Sequence, residues 1–230
     1  EDVKGTYDRF ARCTHGALIR NDFEWMEYWR WENEEERTAA VYYDAKDIPQ
    51  GFLLYWVEED VFHIREMVYL TQEARKGLWN FIRAHYSMID AVKGHIYTGE
   101  PLAFLLDESQ IQETIEPYFM ARIVDVAQFL RLYPFEGSIR PFHFVVTDPM
   151  AEWNNGIFSV ATDREGTVSV TDEPAGKAVE LDIQTLSAML MGYKRPSYLA
   201  RIERLHTDKR TLRLLEEIIP DGQPYFSDYF

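Results

Sequence analysis

The chain has a single cysteine, Cys13, in 230 residues. That excludes an internal disulfide framework and a zinc site built on cysteines, and it points to a reducing, cytoplasmic setting. Six histidines are scattered, with neither a His-x-x-x-His pair nor an H-E-x-x-H run, so no metal centre is expected. No stretch approaches the ~20 apolar residues that cross a bilayer, so no membrane span is expected. The N-terminus also lacks the charged, apolar and small-residue succession of a signal peptide. Glycine-rich phosphate cradles are missing too: the helix-opening segment Thr71–Trp79 has neither G-x-G-x-x-G nor G-x-x-x-x-G-K-[ST]. No G-x-S-x-G nucleophile elbow occurs.

Basic residues are outnumbered, 24 against 39 acidic, for a formal charge of −15. Such a chain repels phosphate backbones, so no nucleic-acid partner is expected. The same charge either keeps the protein in solution or concentrates a cationic ligand near an acidic cleft. Aromatics are plentiful, with 14 Tyr, 14 Phe and 6 Trp to fill cores and line pockets. The chain opens Glu1-Asp2-Val3 without an initiator Met, which reads as a fragment or a processed form.

The pattern predicts an α+β protein in two parts. A helix from Asp2 ends at Gly16, and a second over 23–37 is aromatic early and acidic late. Strands follow over 39–44, 51–59 and 61–70, the last two joined by a tight Glu59-Asp60 turn. Thr71 caps a helix whose apolar side holds Leu78, Phe81 and Ile82. A strand over 91–99 precedes a polar stretch at 107–117, where the boundary is placed. The second part reads as strands over 118–126, 142–148, 156–163, 166–172 and 178–182, with a short helix at 127–135 and three helices at the end. Turns rich in Asn, Asp and Gly separate its strands. The residues taken singly are weak guides to chemistry. His63 reads as a packed histidine, Trp25, Trp29 and Trp31 as core, Glu32 to Glu36 as a solvated helix end.

Four segments in order carry a resemblance: Thr6–Trp25 with Arg20, Arg65–Trp79, Phe119–Val126, and Leu186–Leu205 followed by Leu214–Pro220 and the tail Pro224–Phe230. Together they resemble the Eis (enhanced intracellular survival) family of GNAT N-acetyltransferases over nearly the whole chain. That resemblance implies a degenerate GNAT-like mixed sheet over 1–115. A sterol-carrier-like antiparallel sheet covered by helices would follow over 116–230, with a functional C-terminal tail. Acetyl-CoA would belong to the N-terminal GNAT domain of the parent chain, with no cofactor bound in this one, which alone would be inactive. The α-carboxylate of Phe230 would be the catalytic base, and Trp25, Glu66 and Asp228 would bind the amine. The implied partners are a small-molecule or protein amine substrate, the parent's N-terminal domain and a homo-oligomer, hexameric in the family.

The residues leave other readings open. Trp25 could be core, Glu66 could pair with a neighbouring arginine, and a terminal tail commonly frays, although four aromatics in eight residues favour docking. An apolar-ligand carrier or an oligomerisation scaffold remains the alternative function.

Overall fold

The computed structural model describes residues 1–32, 38–96, 102–106, 110–116, 118–137, 139–162 and 167–228. The chain forms two compact units, one of Glu1–Ile111 with Pro224–Phe230 and one of Gln112–Gln223. The tail, expected with the second domain, therefore folds with the first. The reason is local: Tyr225, Ser227 and Asp228 are buried and hydrogen-bonded to groups of that unit.

In the first unit, helices α1 (Asp2–Cys13) and α2 (Asp22–Glu32) precede a sheet of four strands, β1 (Thr38–Tyr43), β2 (Pro49–Glu58), β3 (Val61–Tyr69) and β4 (Ala91–Gly94). The order is β1-β2-β3-β4, antiparallel except for the parallel pair β3 and β4. Helix α3 (Gln72–Arg83) connects that parallel pair, as the long crossover of such a pair requires. The β2–β3 turn is built on Glu59 and Asp60, both with positive φ (47° and 60°), the hairpin geometry that matches strand twist. Thr71 caps α3 by accepting a hydrogen bond from the Ala74 N–H at 3.1 Å. Both sheet faces are covered. Val3, Tyr7 and Ala11 of α1 and Trp25 and Tyr28 of α2 pack on Phe52, Leu54 and Val68. Leu78 and Ile82 of α3 pack with Leu53, Phe62 and Ile64.

The pairing of β2 with β3 slips by one residue, from Tyr55 opposite Ile64 to Leu54 opposite Glu66. The extra residue, Arg65, makes a bulge, and a bulge turns the following side chains to the other face. Ile64 thus packs with α3, whereas Glu66 and Val68 belong to the α1 and α2 side.

The strand expected over 91–99 ends at Gly94, with residues 97–99 outside the described ones. The short helix α4 (Leu102–Leu105) had no sequence signal. In the second unit, α5 (Val126–Leu132) leads to a sheet of β5 (Phe142–Thr147), β6 (Gly156–Thr162), β7 (Val168–Thr171) and β8 (Lys177–Asp182), ordered β7-β6-β5-β8. Helices α6 (Ile183–Leu190), α7 (Pro196–Arg201) and α8 (Lys209–Ile218) follow. The expected antiparallel sheet is mixed, because β8 returns beside β5 in parallel. The strand expected over 118–126 is not a strand. Its apolar residues Tyr118, Phe119, Met120 and Val124 are exposed, and Arg122 is held instead by both oxygens of Asp148 at 2.5 and 2.6 Å. The core of this unit is continuous from Ile123 and Leu130 through Phe142, Phe144 and Val179 to Leu186, Leu215 and Ile218.

Candidate functional site

Helix α1 ends at Cys13, earlier than the expected Gly16, which lies three residues on in the left-handed region at φ 78°. A Cβ there would lie 3.3 and 3.4 Å from the Tyr225 backbone O and N, so the glycine serves both the turn and the tail that passes over it. Arg20 sits on the extended stretch between α1 and α2. Asn21 then opens α2, its side chain accepting from the N–H groups of Phe23 and Glu24 while Glu24 accepts from the Asn21 N–H at 2.6 Å. This reciprocal cap fixes the chain direction just after Arg20.

The Arg20 side chain has no solvent exposure. Its Nε donates to Asp228 Oδ1 at 2.7 Å, and its Nη2 reaches Glu66 Oε1 at 3.3 Å and Ser227 Oγ at 3.2 Å. Three aromatic rings enclose the guanidinium, with centroids 3.8 Å (Tyr7), 4.1 Å (Tyr28) and 4.7 Å (Trp25) away. Faces of aromatic rings attract a cation that has left water.

Glu66 gathers donors from several elements besides Arg20. Tyr28 donates from α2 at 2.8 Å, and Tyr225 and Ser227 donate from the tail at 3.0 and 2.6 Å. A carboxylate has about four acceptor positions, and these groups fill them. The tail is further held by the Tyr225 N–H, which donates to the His15 carbonyl at 2.9 Å, and by the Tyr225 ring against Phe10 at 4.9 Å. Tyr7 donates to the Leu18 carbonyl at 3.0 Å.

The electrostatics follow from burial and neighbours. Burial acts to lower the Arg20 pKa, but Glu66 and Asp228 outweigh it and hold the guanidinium charged. Burial raises the Asp228 carboxyl above the usual range, with Arg20 opposing. Burial also pushes the Tyr7 phenol well up, so it stays a neutral donor.

Of the expected site residues, Trp25, Glu66 and Asp228 are brought together, and the cation they share is Arg20. Trp25 lies in the core, stacked on Trp29 and edge-on to Tyr7. Phe230 and Tyr229 lie outside the described residues. Sequence reasoning missed Arg20 as the centre and Tyr28, Tyr225 and Ser227 as its companions. An apolar strand interrupted by one inward carboxylate, Glu66, was the available signal.

The start of α3 is the place where a GNAT fold would receive the pyrophosphate of a coenzyme. Here the Ala74 N–H is already taken by the Thr71 side chain, and Glu73 places a carboxylate in the first turn, where it accepts from Tyr42 at 3.0 Å. The one glycine, Gly77, faces the Tyr42 ring, which a Cβ would approach to 2.3 Å. It serves packing against that ring. Among the described residues no cluster of His, Cys, Asp and Glu could hold a metal ion.

Comparison with known proteins agrees with this architecture. A family model described as an acetyltransferase (GNAT) domain matches residues 16–123, and one described as a sterol carrier protein domain matches residues 126–227. The N-acetyltransferase Eis of Mycobacterium tuberculosis is 24% identical over 97% of the chain and 55% of its own length. Over nearly its whole length the chain is similar to Eis-type GNAT proteins. It spans about half the length of the curated relatives it matches. A probable N-acyltransferase from Enterococcus faecalis superposes with a TM-score of 0.89 at 30% identity, over 99% of this chain and 58% of that one. A GCN5-related N-acetyltransferase from Anabaena variabilis gives 0.81 at 27% identity, over 99% and 59%. Among the described residues no helix is long and apolar enough to cross a membrane.

Proposed function

We propose that this chain forms the substrate-side and base-carrying part of an acetyl-CoA-dependent N-acetyltransferase acting on amines. Acetyl-CoA supplies the acyl group when bound, and in this reading it binds in a separate GNAT domain of the whole protein. The α3 entrance supports that division, with its capped N–H, its first-turn carboxylate and its packed glycine.

The observation that carries the reading is the docked tail. Tyr225, Ser227 and Asp228 are held against the acetyltransferase-like unit by Glu66, His15 and Arg20. Asp228 is two residues from Phe230, and two residues reach ~7 Å at most. With Phe230 as terminal residue, its α-carboxylate is a base on a short tether. An amine is protonated at neutral pH and must lose a proton before it can act as a nucleophile. A free terminal carboxylate, with a pKa of about 3.3–3.7, is a weak base, and aromatic surroundings with Asp228 nearby would raise it.

The test is one glycine added after Phe230 in the whole protein. It moves the carboxylate by up to ~3.6 Å, enough to misplace a proton acceptor. Turnover should fall about a hundredfold or more, with folding and acetyl-CoA affinity nearly unchanged. Normal turnover would remove the chain end from the chemistry. Calorimetric titration of the 230-residue chain with acetyl-CoA should show no low-micromolar binding, and such binding would sink the proposed division of labour.

A further inference from the structure

Arg20 is bound from both ends of the chain. Glu66 comes from β3, whereas Ser227 and Asp228 come from the tail, more than two hundred residues away in sequence. Aromatic faces and two carboxylates around one position are what an ammonium or guanidinium ligand would need. The cation that fills this cage is the chain's own.

We propose that Arg20 is the positioning residue of the tail: its guanidinium bridges Glu66 to Ser227 and Asp228 and so latches the last residues onto the acetyltransferase-like unit. The catalytic consequence rests on the chain-end reading above, but the latch itself is a property of docking. The fork of the guanidinium is what the geometry uses. Nε serves Asp228 while Nη2 serves Glu66 and Ser227, two directions that one lysine ammonium cannot reproduce. While Arg20 stands in the cage, an incoming amine is shut out of it. Trp25, Glu66 and Asp228 then influence the reaction through the tail rather than by touching substrate.

The test is hydrogen exchange on the full 230-residue chain, read by mass spectrometry. The Tyr225 N–H to His15 bond places a reporter inside the tail. Replacing Arg20→Ala should speed exchange of the C-terminal peptide about tenfold to a hundredfold, the worth of one or two charge-assisted hydrogen bonds. Peptides of β1 to β3 should keep their protection. Methylguanidinium at non-denaturing millimolar concentration should refill the cage and restore tail protection, whereas Arg20→Lys should not. Unchanged tail exchange in Arg20→Ala would overturn the proposal. So would faster exchange throughout β1 to β3 that methylguanidinium leaves unaltered, the mark of a merely structural arginine. Should Arg20→Ala fail to fold, the double variant Ser227→Ala with Asp228→Asn removes the tail side alone. It should free the tail with the sheet still protected, and a tail that stays protected would overturn the latch. A tail released by these variants, together with normal turnover of the glycine-extended enzyme, would leave the latch standing and remove only the base.

Discussion

Replacing Glu66→Gln changes one oxygen into an amino group and removes one charge, at a residue buried from solvent. The carboxylate accepts from Arg20, Tyr28, Tyr225 and Ser227. A glutamine keeps one acceptor, which serves Tyr225 and Ser227 best on the Oε1 side. Its amino group then faces the Tyr28 hydroxyl and Arg20 Nη1, and Nη1 is a second donor. Tyr28 can rotate its hydroxyl to accept, but Arg20 cannot change. The loss is therefore one charge-assisted partnership plus one donor pressed on another, and Arg20 retains Asp228. Breaking a buried pair outright costs roughly 3–5 kcal/mol, and a hydrogen bond to a charged group contributes about 1.5–3. The expected destabilisation is about 3 kcal/mol. Asp228→Asn should cost about half that, because the asparagine oxygen can still accept from Arg20 Nε, now 2.7 Å from Asp228 Oδ1. Urea unfolding followed by tryptophan fluorescence is a suitable assay, since Trp25, Trp29, Trp31, Trp56 and Trp79 lie in the first unit and only Trp153 in the second. A Glu66→Gln variant within 0.5 kcal/mol of the parent (about the scatter of surface substitutions), or one less affected than Asp228→Asn, would refute the reasoning.

Other perturbations bear on single elements. Gly77→Ala places a Cβ inside the Tyr42 ring's space and should cost about 1–3 kcal/mol as α3 or the ring shifts, seen as a lower thermal midpoint. Asp148 is buried, which alone would raise its pKa, but Asn154, the Met150 N–H, Arg122 and the Ala151 N–H hold it down to about 2. A depressed folded pKa contributes stability above the unfolded value near 3.9, lost as pH falls through about 2. Acid unfolding of the second unit, followed by Trp153, should lose part of this pH dependence in Asp148→Asn.

Local chemistry was legible in the sequence. The Glu59-Asp60 turn, the Thr71 cap and the four strands of the second sheet follow from residue types over a few positions. The Asn21–Glu24 cap was equally readable, since N-x-x-E before an aromatic run is a helix-start signature. Direction was not: β8 lies parallel to β5 because of where the chain returns, which alternation cannot encode. The segment 118–126 looked like a strand because it is aromatic and β-branched, yet Tyr118, Phe119, Met120 and Val124 are exposed, Ile123 and Val126 enter the core, Arg122 binds Asp148 and the Val124 carbonyl accepts from Trp153. At the site, Trp25, Glu66 and Asp228 were picked out through family resemblance, and they do gather. Their common partner was hidden, because nothing local to Arg20 announces a contact at the other end of the chain, and because the bulge at Arg65 decides which face Glu66 takes.

The return of residues 224–228 to the first unit makes that unit discontinuous, with the whole second unit inserted between its two pieces. During synthesis Arg20 and Glu66 are made well before Ser227 and Asp228, with the second unit between them. Until Asp228 is released, Arg20 has lost one counter-ion and Glu66 lacks two of its hydroxyl donors. The first unit thus completes its burial only once residues 224–228 have been made and have docked. The whole sequence of the second unit is made before them. A nascent chain stalled before residue 224 would therefore leave the first unit incomplete, with Arg20 short of its partners from the tail.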